Sequence, residues 1–380
     1  MDFSLSKKHV LMQELFRSFA ENEVKPIAAE IDEKEEFPYV TAVKLGKYGM
    51  MGIPFPKEYG GAGADSLAYA MCVEELSKVC ATTGIVVSAH SSLCAAPIND
   101  FGTPAQKEKY LTKLAKGEWI GAFGLTEAGA GSDVSGQQTT AVLDGDNYIL
   151  NGTKIFITNA GAAHVYIILA ITDKSQGTRG FSAFIVEKDF PGFSVGKQEK
   201  KLGIRGSSTC ELIMENCVVP KENLIAREGQ GFKVVMHTLN GGRMGVAAQA
   251  LGIAQGAIDV TVDYVKERKQ FGKRLSQFQN TQFELADMQT TVDAARLLIY
   301  RTAYLKDQKK DYAKEAAMAK LFAAQASSDI TRRCLQLHGG YGYTREYPIE
   351  RMMRDAKITE IYEGTSEIQK MVIASAMKLN

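Results

Sequence analysis

Residues 148–171 read YILNGTKIFITNAGAAHVYIILAI. The stretch holds three short runs of β-branched and aromatic residues, at 148–150, 154–158 and 165–171, separated by Asn, Gly and Ala. Such runs are too short for helices and carry the side chains that suit a pleated, half-buried surface. Two further runs follow, FSAFIV at 181–186 and CELIM at 210–214. Asp144-Gly145-Asp146 and Asn151-Gly152 read as hairpin-type turns, since Asp-Gly and Asn-Gly tolerate the positive φ that tight hairpins need. Several short strands at this spacing predict a small β-barrel or sandwich domain over residues 121–230.

Outward from this island the patterning becomes helical. On the N-terminal side Met12, Leu15 and Phe19 recur at helix spacing with Ser6 as the N-cap, and Pro26 breaks or kinks that helix. PFPKEYGGAG at 54–63 is a Pro- and Gly-dense loop, and helical character resumes at 67–79 and 104–116. On the C-terminal side Leu285, Met288, Val292, Ala295 and Ile299 follow i, i+3, i+7, i+10, i+14, a stripe long enough for a helical bundle. Residues 313–335 are rich in Ala, Lys, Gln and Leu, and Gly339-Gly340 stops them. The expected class is α+β with a helical domain at 1–120, the β domain at 121–230 and a helical-bundle domain at 231–380. The order α, β, α excludes a doubly wound nucleotide fold, which alternates strands with helices. The chain also lacks GxGxxG and GxxxxGK.

Bulk properties remove other classes. The chain has 380 residues, 45% hydrophobic and 23% charged, with a formal net charge of +1. No basic stripe or acidic tail is present, which argues against a nucleic-acid partner. The Lys306–Lys310 patch reads as a solvated helix end. The six cysteines, Cys72, Cys80, Cys94, Cys210, Cys217 and Cys334, form no CxxC pair and no Cys/His zinc spacing, so no metal site is expected. They read as reduced, buried thiols of a reducing compartment. Residues 1–19 are amphipathic, contain Glu14 and have neither signal- nor transit-peptide character. No stretch approaches the ~20 apolar residues of a membrane span.

Three segments carry chemistry, and each alone leaves two readings open. GLTEAGAGSD at 124–133 sits where the helical pattern gives way to strands. Its small residues let backbone approach a flat ligand, with Thr126 and Ser132 offering hydroxyls; it is equally a Gly-rich interdomain loop. QLHGGYGY at 336–343, followed by Glu346, Arg351 and Asp355, exposes backbone amides suited to a phosphate or an adenine edge; it is equally a helix C-cap. IYEGTSEIQ at 361–369 places Glu363 on a short loop between helices. A carboxylate in an apolar pocket has a raised pKa and serves as a general base; a Glu in a turn is more often a surface residue.

Together, in this order and at these distances, the three segments resemble the acyl-CoA dehydrogenase family over essentially the whole chain. PKEYGG (56–61), NGTKIFITN (151–159), LGIRGSST (202–209) and RKQFGK (268–273) add to the resemblance. The short-chain, butyryl-CoA type is the subfamily it looks most like. The family's fold is an N-terminal helical domain, a middle β domain and a C-terminal four-helix bundle. The resemblance implies FAD, a homotetramer built as a dimer of dimers, and electrons passed to an electron-transfer flavoprotein; the thiols and residues 1–19 point to a bacterial cytoplasmic setting, and the lack of a long apolar stretch to no membrane partner.

By the same similarity Phe123, Leu125, Thr126, Ser132, Phe156, Ile157 and Thr158 line the flavin, with the Thr158 hydroxyl near the hydride-accepting N5. Phe156 stands where many relatives carry Trp, and either ring offers a flat apolar face. Arg268, Gln270, Phe278 and Gln279, with Gln336, Gly339 and Gly340, contact the FAD of a partner subunit; Thr365 and Glu367 lie near their own, although relatives often have Gln at the latter. The CoA thioester threads past Ser132 to Asn240 and Arg243, with Tyr362 and Gly364 beside its acyl end. Relatives commonly have Asp in place of Asn240, so the local charge differs. Glu363 removes the α-proton while the β-hydrogen leaves as hydride to the flavin, and its backbone N–H with a ribityl hydroxyl grips the thioester oxygen. Isovaleryl- and long-chain-type relatives carry the base on the helix that here reads Gly241-Gly242, which leaves Glu363 as the one candidate. Ala95 and Tyr362 are expected to shape the pocket depth. Competing expectations are a branched-chain or aryl-acyl-CoA dehydrogenase of the same mechanism, a non-catalytic flavin-bound docking subunit for an electron-transfer partner, and an acyl-CoA oxidase, whose chains are usually much longer.

Overall fold

In the computed structural model, which describes residues 4–379, the central island forms strands β1 (Gly121–Gly124), β2 (Thr140–Asp144), β3 (Asn147–Ile157), β4 (Val165–Ile171), β5 (Phe181–Glu187), β6 (Phe193–Gln198), β7 (Cys210–Pro220) and β8 (Leu224–Ile225). They hydrogen-bond in the order β6-β7-β3-β2-β4-β5-β8, with β1 parallel to β4. Strand β2 pairs with β3 along its whole length but with β4 only at Thr140–Ile171. Across that narrow junction the sheet curls until its halves face each other. Tyr148 of β3 meets Phe184 of β5 with centroids 4.8 Å apart, and Tyr166 of β4 meets Phe193 of β6 at 4.7 Å. The result is a small open barrel.

Strand β4 explains why its sequence is apolar without alternation. Tyr166, Ile168 and Ala170 point into the barrel core, while Val165, Ile167 and Leu169 belong to the large core shared with the helices. A strand buried on both faces reads as a continuous hydrophobic run.

One turn reading is corrected. Gly145-Asp146 does link β2 and β3, but Asn151-Gly152 lies inside β3, at a bulge between Leu150 and Gly152. A Cβ at Gly152 would sit 2.4 Å from Thr139 Oγ1. The glycine therefore serves the close approach of the segment leading into β2 and not a reversal.

Helix α1 (Lys7–Phe19) begins at Ser6, whose hydroxyl accepts the His9 N–H at 3.2 Å. Met1, Asp2 and Phe3 of the amphipathic start lie outside the described residues. The buried stripe of α1 is Phe16 and Phe19, with Met12 at its edge. Leu15, expected in that stripe, is 42% exposed. Past Phe19 the chain continues through a π-type turn and then a 3-10 turn holding Pro26, before a second helix at Ala28–Lys34. Helices α2 (Ser66–Val79) and α3 (Ala81–Ala89) supply much of the N-terminal core, and Leu45, Tyr110, Leu111 and Leu114 add to it. The Asp65 side chain caps α2 by accepting the Ala68 N–H at 2.9 Å.

The C-terminal half contains α4 (Gly231–Glu267), α5 (Gln279–Asp307), α6 (Ala313–His338), α7 (Ile349–Ile358) and α8 (Ser366–Ala376). Helices α4, α5 and α6 pack side by side, α7 closes on α4 and α6 as the fourth member of the bundle, and α8 lies along α6. Met288, Val292, Ala295 and Ile299 of the α5 stripe are buried, and Leu285 sits at its edge. Two helical segments, Ala81–Phe101 and Gly231–Glu267, are long and apolar enough to cross a membrane by composition, but their most apolar windows are 94% and 78% buried inside the protein. They are core helices, whose apolar length comes from burial inside the protein. Lys306 also departs from expectation. Lys309 and Lys310 are exposed, whereas Lys306 packs against α4 beside Gly241 and burial lowers its pKa.

Candidate active site

Helix α4, the loop between α7 and α8, and the barrel wall enclose a cavity of about 1190 Å³. Each contributes through a local feature of its sequence.

The loop carries Tyr362, Glu363, Gly364 and Thr365, all in the cavity wall. Its reversal is tight: Glu363 has φ 54° and Gly364 has φ 89°. A non-glycine residue in the left-handed region is uncommon and needs holding in place. Gln369 Nε2 donates to Glu363 O at 3.1 Å and to Gly364 O at 2.7 Å, and Lys320 Nζ donates to Gly364 O at 2.7 Å. The Tyr362 hydroxyl donates to Gln249 Oε1, and Gln249 Nε2 donates to Ala81 O at 2.9 Å. Thr365 caps α8, its hydroxyl accepting the Ile368 N–H.

The Glu363 side chain is partly open to the cavity and otherwise enclosed by protein. Burial pushes its pKa up to about 7, against the pull of the Lys320 ammonium and the Arg243 guanidinium. Helix α4 passes close by without a side chain: a Cβ at Gly242 would lie 3.1 Å from Glu363 Oε2 and 2.8 Å from Leu93 Cδ2. At the next residue, Arg243 Nη1 donates to Asn240 Oδ1 at 2.7 Å while its buried Nε has no protein partner. Asn240 itself lies off the wall and orients Arg243.

On the barrel side, β3 has a second bulge between Lys154 and Ile157. It puts Phe156 at φ 59° and leaves its ring 60% exposed, in the cavity wall, while Ile157 turns into the barrel core. Bulges re-aim side chains in this way. Thr126 and Thr158 add hydroxyls to the same wall, with Phe123, Leu125 and Ser132. The 124–133 segment is tied to β3 by a buried pair: Lys154 Nζ lies 2.7 Å from Glu127 Oε1 and 2.7 Å from Gln137 Oε1. Thr139 Oγ1 donates to Glu127 Oε1 at 2.6 Å, and Ile155 N donates to Thr126 O at 2.8 Å. The LGIRGSST segment closes another side through Leu202, Gly203, Ile204 and Thr209. Asp355 of α7 accepts the Ile204 N–H, and burial pushes its pKa up to about 6.

The structure thus gathers Phe123, Leu125, Thr126, Ser132, Phe156, Ile157, Thr158, Arg243, Tyr362, Glu363, Gly364 and Thr365 around one cavity. Ile157 reaches it mainly through backbone, since it is 3% exposed. Glu367 is exposed in the first turn of α8 and is absent from the lining. Ala95 is buried elsewhere, and Ala89 and Leu93 take the expected place in the wall. Arg268, Gln270, Phe278, Gln279, Gln336, Gly339 and Gly340 form no part of this cavity. They lie on an outer surface where Arg268 sits over the Tyr341 ring at 5.3 Å and Phe271, 93% exposed, neighbours Phe278 at 6.4 Å. Sequence reasoning missed Lys320, Gln249 and Gln369. For Lys320 a signal existed: Ala316, Lys320, Ala323 and Ser327 recur at helical spacing on the buried face of α6.

A helical, β and helical-bundle architecture closing on one carboxylate-bearing cleft defines a class, and comparison identifies it. The N-terminal, middle and C-terminal domains of the acyl-CoA dehydrogenases match residues 6–118, 122–217 and 229–378. The chain belongs to the acyl-CoA dehydrogenase family. It is 60% identical to a short-chain specific acyl-CoA dehydrogenase of Clostridium acetobutylicum, over 98% of this chain and 99% of that one. Its structure matches butyryl-CoA dehydrogenase from Megasphaera elsdenii with a TM-score of 0.98 at 49% identity, covering 100% of both chains. A chain from work on the electron transferring flavoprotein of Acidaminococcus fermentans and flavin-based electron bifurcation matches with a TM-score of 0.99 at 53% identity, again over 100% of both.

Proposed function

We propose that the protein dehydrogenates a short acyl-CoA thioester, of the butyryl-CoA type, at its α,β carbons, with Glu363 as the base. The observation that carries this reading is the Glu363 carboxylate in the cavity wall, with its pKa pushed to about 7 and the α4 position opposite it occupied by Gly242. A base poised near neutrality combines a populated ionised form with useful proton affinity.

FAD fits the residues present. The bulge that turns Phe156 outward gives a flat apolar face, Thr126 and Thr158 supply hydroxyls, and Gly129 and Gly131 leave backbone accessible. When bound there, FAD supplies the hydride acceptor for the β-hydrogen. The chain's own part is the proton. Glu363 takes it from the α-carbon, and its backbone N–H is the proposed donor to the thioester oxygen, where negative charge develops. An acyl chain filling the cavity displaces water and strengthens the base. Arg243, with a buried Nε lacking a protein partner, is the proposed anchor for a polar group of CoA, and Ser132 lies along the same path. Tyr362, braced by Gln249, and Leu93 bound the acyl end.

Electrons leave to an electron-transfer flavoprotein, consistent with the Acidaminococcus match. The surface bearing Arg268, Gln270, Phe278, Gln279, Gln336, Gly339 and Gly340 meets the FAD of a second copy within a homotetramer. Its exposed Phe271 and its amides and guanidinium suit that role. The six buried, unpaired thiols fit a cytoplasmic setting. Anaerobic titration with a C4 to C12 acyl-CoA series, following flavin absorbance, tests the substrate: butyryl-CoA is expected to bleach the flavin fastest. Faster bleaching by isobutyryl- or phenylpropionyl-CoA would replace the short-chain reading with a branched or aryl one.

A further inference from the structure

Helix α6 carries a lysine where its neighbours are small and apolar. Lys320 is 0% exposed, flanked on the buried face by Ala316, Ala317, Ala319, Ala323 and Ala324. Burying an ammonium is expensive unless paired, and even a paired charge is often less stabilising than an apolar residue of the same size. Its one hydrogen bond given by the structure is to Gly364 O, at 2.7 Å. That carbonyl belongs to the second of two consecutive residues with positive φ, and the first is Glu363. Gln369, also 0% exposed, grips the same carbonyl and that of Glu363. Two buried donors on two helices thus converge on the backbone of one strained residue pair.

We propose that Lys320 is a positioning residue for Glu363: with Gln369 it clamps the carbonyls of the 363–364 turn and so aims the carboxylate into the cavity, and its ammonium favours the carboxylate anion. The inference rests on the reading of Glu363 as the base. Lys320 acts from behind the loop and touches no substrate.

The electrostatic sign follows from the groups around Glu363. Arg243 on α4 and Lys320 on α6 stabilise the anion, and Tyr362 on the loop and Tyr69 on α2 also face it. Glu360, Glu367 and Arg243 act on Lys320 in turn. Removing the Lys320 charge leaves Arg243 as the sole cation against the burial cost, so the Glu363 pKa rises and less base is ionised at neutral pH.

Lys320→Met preserves shape and leaves Gly364 O bonded to Gln369, so the variant is expected to fold and hold FAD. Its kcat with butyryl-CoA should fall about 10- to 100-fold at pH 7, at or below the low end of the roughly 10²- to 10⁴-fold that general-base catalysis contributes, because the base is weakened and not removed. KM should stay within about threefold, and the acid limb of kcat/KM should move up by about one pH unit. Infrared titration of the substrate-free protein, differenced against Glu363→Gln, should show the carboxyl pKa moving by the same amount. Lys320→Gln keeps a donor without charge and should recover kcat at high pH while keeping the shifted limb. Gln369→Leu keeps the charge and loses the second donor; it should lower kcat without moving the limb. This variant decides the positioning role if Lys320→Met fails to retain FAD. Wild-type kcat and an unmoved acid limb in the Lys320 variants, or wild-type kcat in Gln369→Leu, overturn the proposal. Wild-type flavin reduction by Glu363→Gln instead overturns the base itself, independently of Lys320.

Discussion

Glu363 is the residue on which rate should depend most. Glu363→Gln keeps size and polarity but removes the proton acceptor. Reduction of the bound flavin by butyryl-CoA should slow about 10³-fold in stopped-flow measurements, with FAD content unchanged. In the wild type, kcat/KM should rise with pH through about 7, because burial holds the carboxyl protonated below that value and only the ionised form accepts a proton. A second expectation comes from Gly242, whose Cβ would point at the same carboxylate. Glu363→Gly combined with Gly242→Glu moves the carboxylate from loop to helix. The pair should recover at least about tenfold of the flavin-reduction rate lost in Glu363→Gly alone; recovery of nothing would mean the loop geometry itself is indispensable. Sequence made Glu363 visible only through its company. A Glu in a turn is commonplace, and the residues that make this one unusual, Lys320, Gln249 and Gln369, lie on other helices. Lys320 looked like an ordinary helix former, because a lysine in a helix is usually solvated and burial is a tertiary property.

Among the elements, the barrel wall depends on the Lys154–Glu127 pair. Lys154 is 0% exposed, and its loss would leave Glu127 buried without its cation. Lys154→Met should destabilise the protein by about 3 kcal/mol or more in denaturant unfolding, and Glu127→Gln/Lys154→Met by less, since breaking a buried pair costs more than replacing it. Element identities were legible because apolar runs and their spacing are local. The details that placed side chains were less so. Asn151-Gly152 carries the residues of a turn but sits in a strand, because Thr139 comes within 2.4 Å of where a Cβ would be. Leu15 has the right spacing for the α1 stripe, yet the helix is rotated to bury Phe16. Both outcomes were decided by a partner segment distant in sequence.

For the whole molecule, the outer surface around Arg268, Phe271 and Tyr341 sets the next expectation. If it meets a second copy at the cofactor, Arg268→Ala should weaken FAD retention and assembly together. Sedimentation and flavin absorbance should fall in parallel on dilution, because binding and assembly are linked by mass action. Loss of neither would remove that surface from the interface.

Strand β4 bears on how such a chain can change over generations. Its odd-numbered residues belong to the core shared with the helices and its even-numbered ones to the barrel. A barrel grafted from elsewhere would bring a strand whose outer face matches the wrong helices, so modular exchange is closed off at the centre. Variation is left to the Gly145-Asp146 hairpin and to the turn at 174–180, whose residues apart from Gly180 are exposed. The barrel and both helical ends thus share one core through this strand.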